Sequence, residues 1–135
     1  MVNAPKQYAS VILLTSDEKI ILQLRDDIPG IVDPAMISLF AGAMLPGESP
    51  EETVRRETLE ETSIKLGSLY FYKSYTYEDK ISHVFIARKI DPRDVNVTEG
   101  VGYRLIKSKK ELDENLVAPI SKAILADYLS SKLLD

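Results

Sequence analysis

Three glutamates between residues 57 and 61 have a spacing that could hold a metal ion. On a helix, Glu57, Glu60 and Glu61 are related by i, i+3 and i+4, so their carboxylates share one face. Like charges at this spacing repel and cost stability unless a cation lies between them. Oxygen ligands with no His or Cys nearby suit a hard ion, Mg²⁺ or Mn²⁺, rather than zinc. Taken alone, the same pattern is more often a solvated helix face, so the surrounding residues must decide between the two interpretations.

A helix is predicted over residues 49–62, and it would position these carboxylates. Ser49 is the predicted N-cap, and Pro50 suits the first helical position. Glu51 and Glu52 lie where the helix dipole favours negative charge. Glu52 also completes a capping box with Ser49. These signals agree on where the acidic helix begins.

Apolar spacing and turn residues predict the remaining elements. The predicted strands cover residues 8–14, 19–24, 36–40, 69–77, 81–90 and 103–106, the other predicted helices cover 109–115 and 120–133, and the predicted loops cover 26–34 and 91–102. Hairpins predominate over βαβ units, which favours a mixed α+β sandwich over a doubly wound sheet. A length of 135 residues fits one domain, residues 1–135, with a single core.

The residues before the acidic helix complete a larger pattern. Its six fixed members are Gly42, then Glu48 after five residues, Arg56 and Glu57 after seven more, and Glu60 and Glu61 after a further two. This pattern resembles the Nudix box, and a chance match of the six at a given start is on the order of 10⁻⁷. The resemblance to MutT-like Nudix hydrolases covers the whole chain. It implies an α/β/α sandwich with a mixed sheet, the box helix and a C-terminal helix.

The resemblance also implies roles for these residues. The implied ligands of a divalent ion are Glu57, Glu60 and Glu61, with Glu48 and the carbonyl of Gly42 in supporting positions. One of the three helix glutamates would also act as a base toward water. Arg56 would orient the carboxylates through charge-assisted hydrogen bonds. The bound ion would lower the pKa of water and neutralise charge on a diphosphate.

Candidate residues also lie outside the box. Glu99 is in a predicted loop where some Nudix enzymes keep a catalytic or metal-binding glutamate, although an ordinary exposed acid fits equally well. Arg25 could contact a substrate phosphate, with a surface salt bridge as the alternative. His83, the only histidine, is predicted to be a strand residue rather than a catalyst. The candidates to stack on a base, with core packing as the default for each, are Phe40, Tyr8, Tyr75 and Tyr103.

Two box positions depart from the family's pattern. Thr58 stands where an aliphatic residue is usual, and we expect it to pack the helix less well. Ser63 stands where a glycine usually ends the helix in a left-handed conformation, at a cost of about 1 kcal/mol. Just upstream, Ile37 and Ala41 replace a Trp and a Gly that are frequent in related short proteins. They predict a shifted substrate pocket or altered strand packing.

These observations predict a metal-dependent hydrolase. It would cleave the diphosphate linkage of an NTP, an oxidised dNTP or a nucleotide sugar, giving a nucleoside monophosphate plus pyrophosphate or a phosphorylated remainder. Two alternatives stay open. The departures from the pattern suit a catalytically weak, nucleotide-binding or regulatory module with the Nudix fold. The box itself does not exclude a non-nucleotide diphosphate, such as an isoprenoid or inositol compound.

The net charge and composition of the chain limit the kinds of molecule that it is expected to bind. The chain has 17 basic and 21 acidic residues and a formal net charge of −4, which argues against duplex nucleic acid as a partner. A small phosphorylated substrate would then need a metal ion to supply positive charge. The lack of cysteine excludes disulfides and thiolate metal sites. Because no signal-like start or membrane-length apolar run occurs, we expect a cytoplasmic protein with no membrane partner. The resemblance makes a homodimer a further expectation.

Overall fold

The computed structural model describes residues 4–25, 30, 35–97 and 102–132. The strands are β1 (Lys6–Leu14), β2 (Ile20–Leu24), β3 (Ile37–Ser38), β4 (Phe40–Ala43), β5 (Tyr70–Tyr77), β6 (Lys80–Ala87) and β7 (Gly102–Ile106). The helices are α1 (Pro50–Thr62), α2 (Lys109–Glu114) and α3 (Pro119–Lys132), and a short 3₁₀ turn covers Pro92–Asp94. None of the helices within the described residues is long and apolar enough to cross a membrane.

The sheet is organised around β1. One edge of β1 pairs in parallel with β6, which places Leu13 opposite Ala87. The other edge pairs antiparallel with β4 over residues 8–11 and with β2 over the last two residues. β1 and β2 are therefore paired at one end and separate at the other. In the gap between them, β3 pairs with β2 and β4 pairs with β1. β5 extends the sheet beyond β6, and β7 pairs with the far edge of β2.

The core consists of two apolar clusters, one on each face of the sheet. Successive side chains of a strand point to opposite faces, so β1 contributes to both clusters. Ile12 and Leu14 belong to the cluster that contains Ile124 of α3. Val11 belongs to the cluster that contains Val54 of α1. The predicted α/β/α sandwich with a mixed sheet, a box helix and a C-terminal helix is confirmed.

Helix α1 has the ends that its sequence predicts. The Glu52 N–H donates to the Ser49 hydroxyl at 3.1 Å, and the Ser49 N–H donates to the Glu52 carboxylate at 3.0 Å. The capping box is therefore confirmed. Ser63 ends the helix in the left-handed region, with φ 64° and ψ 12°. Its N–H donates to the Leu59 carbonyl at 2.9 Å. Thr58 is buried, with 1% of its surface exposed.

The single strand predicted over residues 36–40 is wrong. The segment forms two strands with different partners, β3 on β2 and β4 on β1. The change of partner occurs where β1 and β2 diverge. The divergence of β1 and β2 depends on the tertiary structure, so it cannot be predicted from the spacing of apolar residues in one segment. Most of the predicted loop at residues 26–34 lies outside the described residues.

Candidate active site

Arg56 joins the beginning of the box to its helix. Its Nε donates to Glu48 Oε2 at 2.7 Å and its Nη2 to Glu48 Oε1 at 3.0 Å, a two-point ion pair. The Thr53 hydroxyl and the Leu45 N–H donate to the same carboxylate at 2.6 and 3.0 Å. These hydrogen bonds, that of Arg56 above all, lower the pKa of Glu48 from 4.5 to about 2. Hydrogen bonding to Glu48 in turn raises the pKa of Arg56.

The same guanidinium group contacts two of the three predicted metal ligands. Nη1 of Arg56 donates to Glu57 Oε1 at 2.8 Å and to Glu60 Oε2 at 3.4 Å. Nη2 also donates to the Ala43 carbonyl at 3.2 Å, which ties α1 to the end of β4. The Glu57 side chain is 21% exposed and that of Glu60 is 59% exposed. These contacts are the ones that Arg56 would need in order to orient the Glu57 and Glu60 carboxylates.

Gly42 gives Glu57 room to lie against the sheet. A Cβ built on Gly42 would overlap the carboxyl group of Glu57. The strand pairing of Gly42 with Ala9 of β1 holds its backbone in place, so the glycine cannot easily move away. The sequence suggested a role for the Gly42 carbonyl. The structure adds a steric reason for glycine at this position.

Glu61, the third predicted metal ligand, is a buried residue. It is 5% exposed and forms part of the wall of a cavity of about 440 Å³. Within the part of the chain that the structure describes, no three acidic or histidine side chains converge closely enough to hold an ion. Glu57 and Glu60 are drawn together by Arg56, whereas Glu61 faces the cavity.

The donor set nevertheless fits a hard divalent cation. All of its side-chain atoms are carboxylate oxygens on adjacent turns of one helix, which are ligands that Mg²⁺ or Mn²⁺ prefers. The Glu57 carboxylate also lies in the space beside Gly42, and any side chain at position 42 would fill that space. The residues present are therefore chemically suited to the ion that the sequence suggests.

The cavity next to Glu61 lies where β1 and β2 diverge, and Ile120, Ser121 and Ile124 of α3 are part of its wall. Its volume is within the range of about 300–1,000 Å³ that is usual for small-molecule sites. Arg25 is part of its wall, as a substrate contact would require. Another cavity, of about 490 Å³, is lined by residues such as Lys65 and Arg88 and by none of the candidate residues.

Most of the buried polar side chains also line the cavity that contains Glu61. Of the nine such residues in the described part of the chain, five are in its wall: Ser10, Gln23, Ser38, Glu61 and Ser121. Sequence reasoning missed all of these except Glu61. The signal available was the presence of small polar residues within otherwise apolar strands, as at Ser10 and Ser38.

The remaining candidates from the sequence are placed as follows. Phe40 is 1% exposed in the core cluster under α1, so its ring is not accessible to stack on a base, and that expectation is corrected. Tyr8 lines the cavity, the Tyr75 hydroxyl donates a hydrogen bond to Asp127, and Tyr103 packs against the core. Glu99 lies outside the described residues.

His83 is a strand residue, as predicted. It lies on β6, and its two ring nitrogens are 2.8 Å from Ser74 Oγ and from Gln7 Oε1. Burial lowers the pKa of His83. These contacts join three neighbouring strands, β1, β6 and β5, and do not involve the box glutamates.

Comparison with known proteins shows which class of protein this fold and site define. The NUDIX domain model matches residues 5–125, so the chain belongs to the NUDIX domain family. Nudix hydrolases in general use divalent metal ions.

Individual relatives differ in length from this chain. An ADP-ribose pyrophosphatase of Bacillus subtilis is 29% identical over 124 residues, which cover 89% of this chain and 59% of that protein. The NAD-capped RNA hydrolase NudC of Chromobacterium violaceum is 39% identical over 69 residues, 50% of this chain and 26% of that protein. The aligned part is therefore less than two thirds of either relative. The MutT protein of Methanosarcina mazei Go1 has a similar fold, with a TM-score of 0.76 at 20% identity and 100% of both chains covered.

Proposed function

We propose that this chain hydrolyses the diphosphate linkage of a nucleoside diphosphate derivative with the help of a divalent metal ion, Mg²⁺ or Mn²⁺. The observation that carries the proposal is the acidic face of α1 beside a cavity, with Glu57 and Glu60 at Arg56 and Glu61 in the cavity wall. The names of the two curated relatives, an ADP-ribose pyrophosphatase and an NAD-capped RNA hydrolase, support the proposal.

The box residues would hold the ion. The proposed ligands are Glu57, Glu60 and Glu61, with Glu48 and the Gly42 carbonyl in supporting positions. When bound, the ion would supply a water of lowered pKa and neutralise charge on the diphosphate. Carboxylate ligands must be ionised to bind metal. Arg56 would hold two of the proposed ligands in place, because it donates hydrogen bonds to Glu57 and Glu60 and is itself anchored by Glu48.

The substrate would span from the box helix into the cavity. Water would add to one phosphorus atom and the bridging oxygen would leave with the other phosphate, giving a nucleoside monophosphate and a phosphorylated remainder. Arg25 in the cavity wall is a proposed phosphate contact, and Glu99 stays a candidate further acid. Because the net charge of the chain is −4, the ion supplies attraction that the protein as a whole does not.

A substrate screen tests the proposal directly. Purified protein would be assayed with Mg²⁺, with Mn²⁺ and with EDTA against nucleoside triphosphates, oxidised dNTPs, nucleotide sugars, ADP-ribose and NADH. We expect metal-dependent release of a nucleoside monophosphate from at least one of them. Chromatography of the products identifies which bond is broken.

Matched glutamate substitutions on the same helix test the site. We expect Glu57→Gln and Glu61→Gln to lower kcat by about 10²–10³-fold, as is typical when a group that stabilises the transition-state charge is removed. Glu51→Gln is the control, since Glu51 pairs with Arg55 at 3.6 Å and is exposed. Full activity in both test variants with metal present would contradict the proposal.

The alternatives predict different results in the same experiments. A nucleotide-binding module would bind a nucleotide in calorimetry and release no product from any compound. A hydrolase of non-nucleotide diphosphates would release phosphate from an isoprenoid or inositol diphosphate and leave every nucleotide intact.

A further inference from the structure

Two buried hydroxyl groups in the wall of the cavity lack a hydrogen-bond partner among the described residues. Ser10 is 3% exposed and Ser38 is 6% exposed. The Oγ atom of each is buried, and no protein donor or acceptor in the described ranges is in hydrogen-bonding position. Burying a hydroxyl without a partner is unfavourable, so such groups in a small-molecule cavity are candidates for ligand contacts.

The two serines come from different strands at the point where the sheet opens. Ser10 lies on β1, opposite Ala41 of β4 and Val84 of β6. Ser38 lies on β3, opposite Gln23 of β2. Both serines share the cavity wall with Glu61. A molecule in the cavity would therefore lie beside one serine from each arm of the divergence and beside Glu61 of the box helix.

The strands change from apolar to polar as they approach the cavity. On the face toward α3, β1 presents Ile12 and Leu14 to the core cluster, and Tyr8 and Ser10 to the cavity. β6 repeats the change, with Val84 and Ile86 in the core and Lys80 and Ser82 at the cavity. This repetition places polar side chains of two paired strands in a wall that also contains apolar residues such as Leu39, Ile120 and Ile124. A wall of this mixed kind suits a nucleoside, which has apolar ring faces and polar edges.

We propose that the Ser10 and Ser38 hydroxyls determine substrate specificity by hydrogen bonding to the nucleoside part of the substrate. The inference rests on the proposed function, which places the diphosphate at the box helix beside Glu61. A hydroxyl group can both donate and accept, so it can bind the hydroxyl, carbonyl or amino groups of a nucleoside. An isoprenyl chain would leave both hydroxyls unsatisfied, and sites of this kind discriminate strongly against ligands that lack the matching polar group.

Kinetics of single substitutions test the contact. The probe would be whichever of ADP-ribose, NADH and dGTP has the highest kcat/KM with the wild-type protein. We expect Ser10→Ala and Ser38→Ala each to raise KM about tenfold while kcat changes by less than about twofold, because contacts remote from the reacting phosphorus contribute equally to ground-state and transition-state binding. Unchanged KM in both variants would overturn the inference.

Melting temperatures separate recognition from a structural role. Since neither hydroxyl has a protein partner in the described residues, Ser10→Ala and Ser38→Ala should leave the melting temperature unchanged or raise it. Ser121 is the matched contrast: it lines the same cavity, but its Oγ accepts from the Leu39 N–H at 3.0 Å. Ser121→Ala should therefore lower the melting temperature. A drop of similar size in all three variants would show that the two hydroxyls are structural and would overturn the inference.

Binding measurements distinguish failure of this inference from failure of the proposed function. Calorimetry would compare ADP-ribose, NADH and dGTP with geranyl diphosphate. Binding of a nucleotide, weakened by both serine substitutions but without hydrolysis of any of the three, would refute the proposed reaction and support the recognition role. Hydrolysis of geranyl diphosphate with no binding of any of the three nucleotides would overturn the recognition role and keep metal-dependent diphosphate chemistry. Binding of none of the four compounds would overturn both.

Discussion

The carboxyl group of Glu57 occupies the space that a side chain on Gly42 would take. This contact joins the box helix to β4, and Arg56 reinforces it from the other side by donating to both Glu57 and the Ala43 carbonyl. The first residue of the box and the first of the three proposed metal ligands are therefore in direct contact. Gly42 and Glu57 are far apart along the chain but adjacent in the fold.

Gly42→Ala should displace Glu57. We expect activity to fall about 10²-fold, since a shift of about 1 Å in a catalytic group can cost this much. Overpacking should also lower the free energy of unfolding by about 1–3 kcal/mol. Gly67→Ala is the control because a Cβ there would meet nothing within 4 Å. Kinetic assays and urea unfolding of both variants measure these effects, and equal activity in the two would contradict the steric role of Gly42.

Glu48 should make stability depend on acid pH. Its pKa is about 2 in the folded protein, below its usual 4.5, because Arg56, Thr53 and the Leu45 N–H donate to it. Its contribution to stability is therefore fully present above about pH 4.5 and is lost as the pH falls toward 2. Urea unfolding between pH 7 and pH 2 should show Glu48→Gln less stable than wild type at neutral pH, with the gap closing below pH 4.5. A constant gap across this range would refute the assignment.

Ser63→Gly should stabilise the protein. Ser63 has φ 64°, a left-handed conformation that glycine adopts at lower cost. We expect a gain of up to about 1 kcal/mol in the free energy of unfolding. The matched control is Ser68→Gly in the following loop, where φ is not positive. This control should lower stability by about 0.4–1 kcal/mol because it adds freedom to the unfolded chain. The same sign of change in both variants would contradict the left-handed cap.

Asp127 should hold the C-terminal helix against β5. The Tyr75 hydroxyl donates to its carboxylate at 2.5 Å and the Lys73 ammonium at 2.9 Å, and these bonds lower the pKa of Asp127. Asp127→Asn should cost about 1 kcal/mol in the free energy of unfolding. Asp113→Asn is the control, since its pairs with Lys109 and Lys122 are half exposed and contribute little. Chemical unfolding measures both, and equal losses would argue against a specific role for Asp127.

Local signals made the box helix predictable from the sequence. The caps at Ser49 and Ser63 depend on residues within one or two turns, so their chemistry can be interpreted without knowledge of the fold. The Arg56–Glu48 ion pair lies in the same short segment but was not predicted, since Glu48 was expected only to support the metal site. The substrate, the number of metal ions and the subunit arrangement involve residues from separate elements or other molecules. The predicted cytoplasmic location and homodimer likewise stay predictions.

The cavity was less predictable because its residues come from distant parts of the chain. Ser10 and Ser38 resemble ordinary strand residues until the divergence of β1 and β2 brings them to one wall. Phe40 shows the converse: the sequence makes it a candidate for base stacking with core packing as the default, and its place in β4 directs it into the core. Which face a short strand presents depends on its partner, and the partner could not be inferred from the segment.

The parallel pairing of β1 with β6 has a consequence for the order of events during synthesis. The two strands come from opposite halves of the chain, and the crossover between them includes the box helix. Helix α1, with its local caps, can begin to form as soon as its own residues have left the ribosome. The sheet on which it packs is complete only after β6 has been made, because β1 pairs with β6. Pairing between such distant segments also carries a larger entropic cost than local structure does. The sheet that aligns the acidic helix is therefore completed after the residues of that helix have been made, and the nascent chain gains the geometry of the candidate site late.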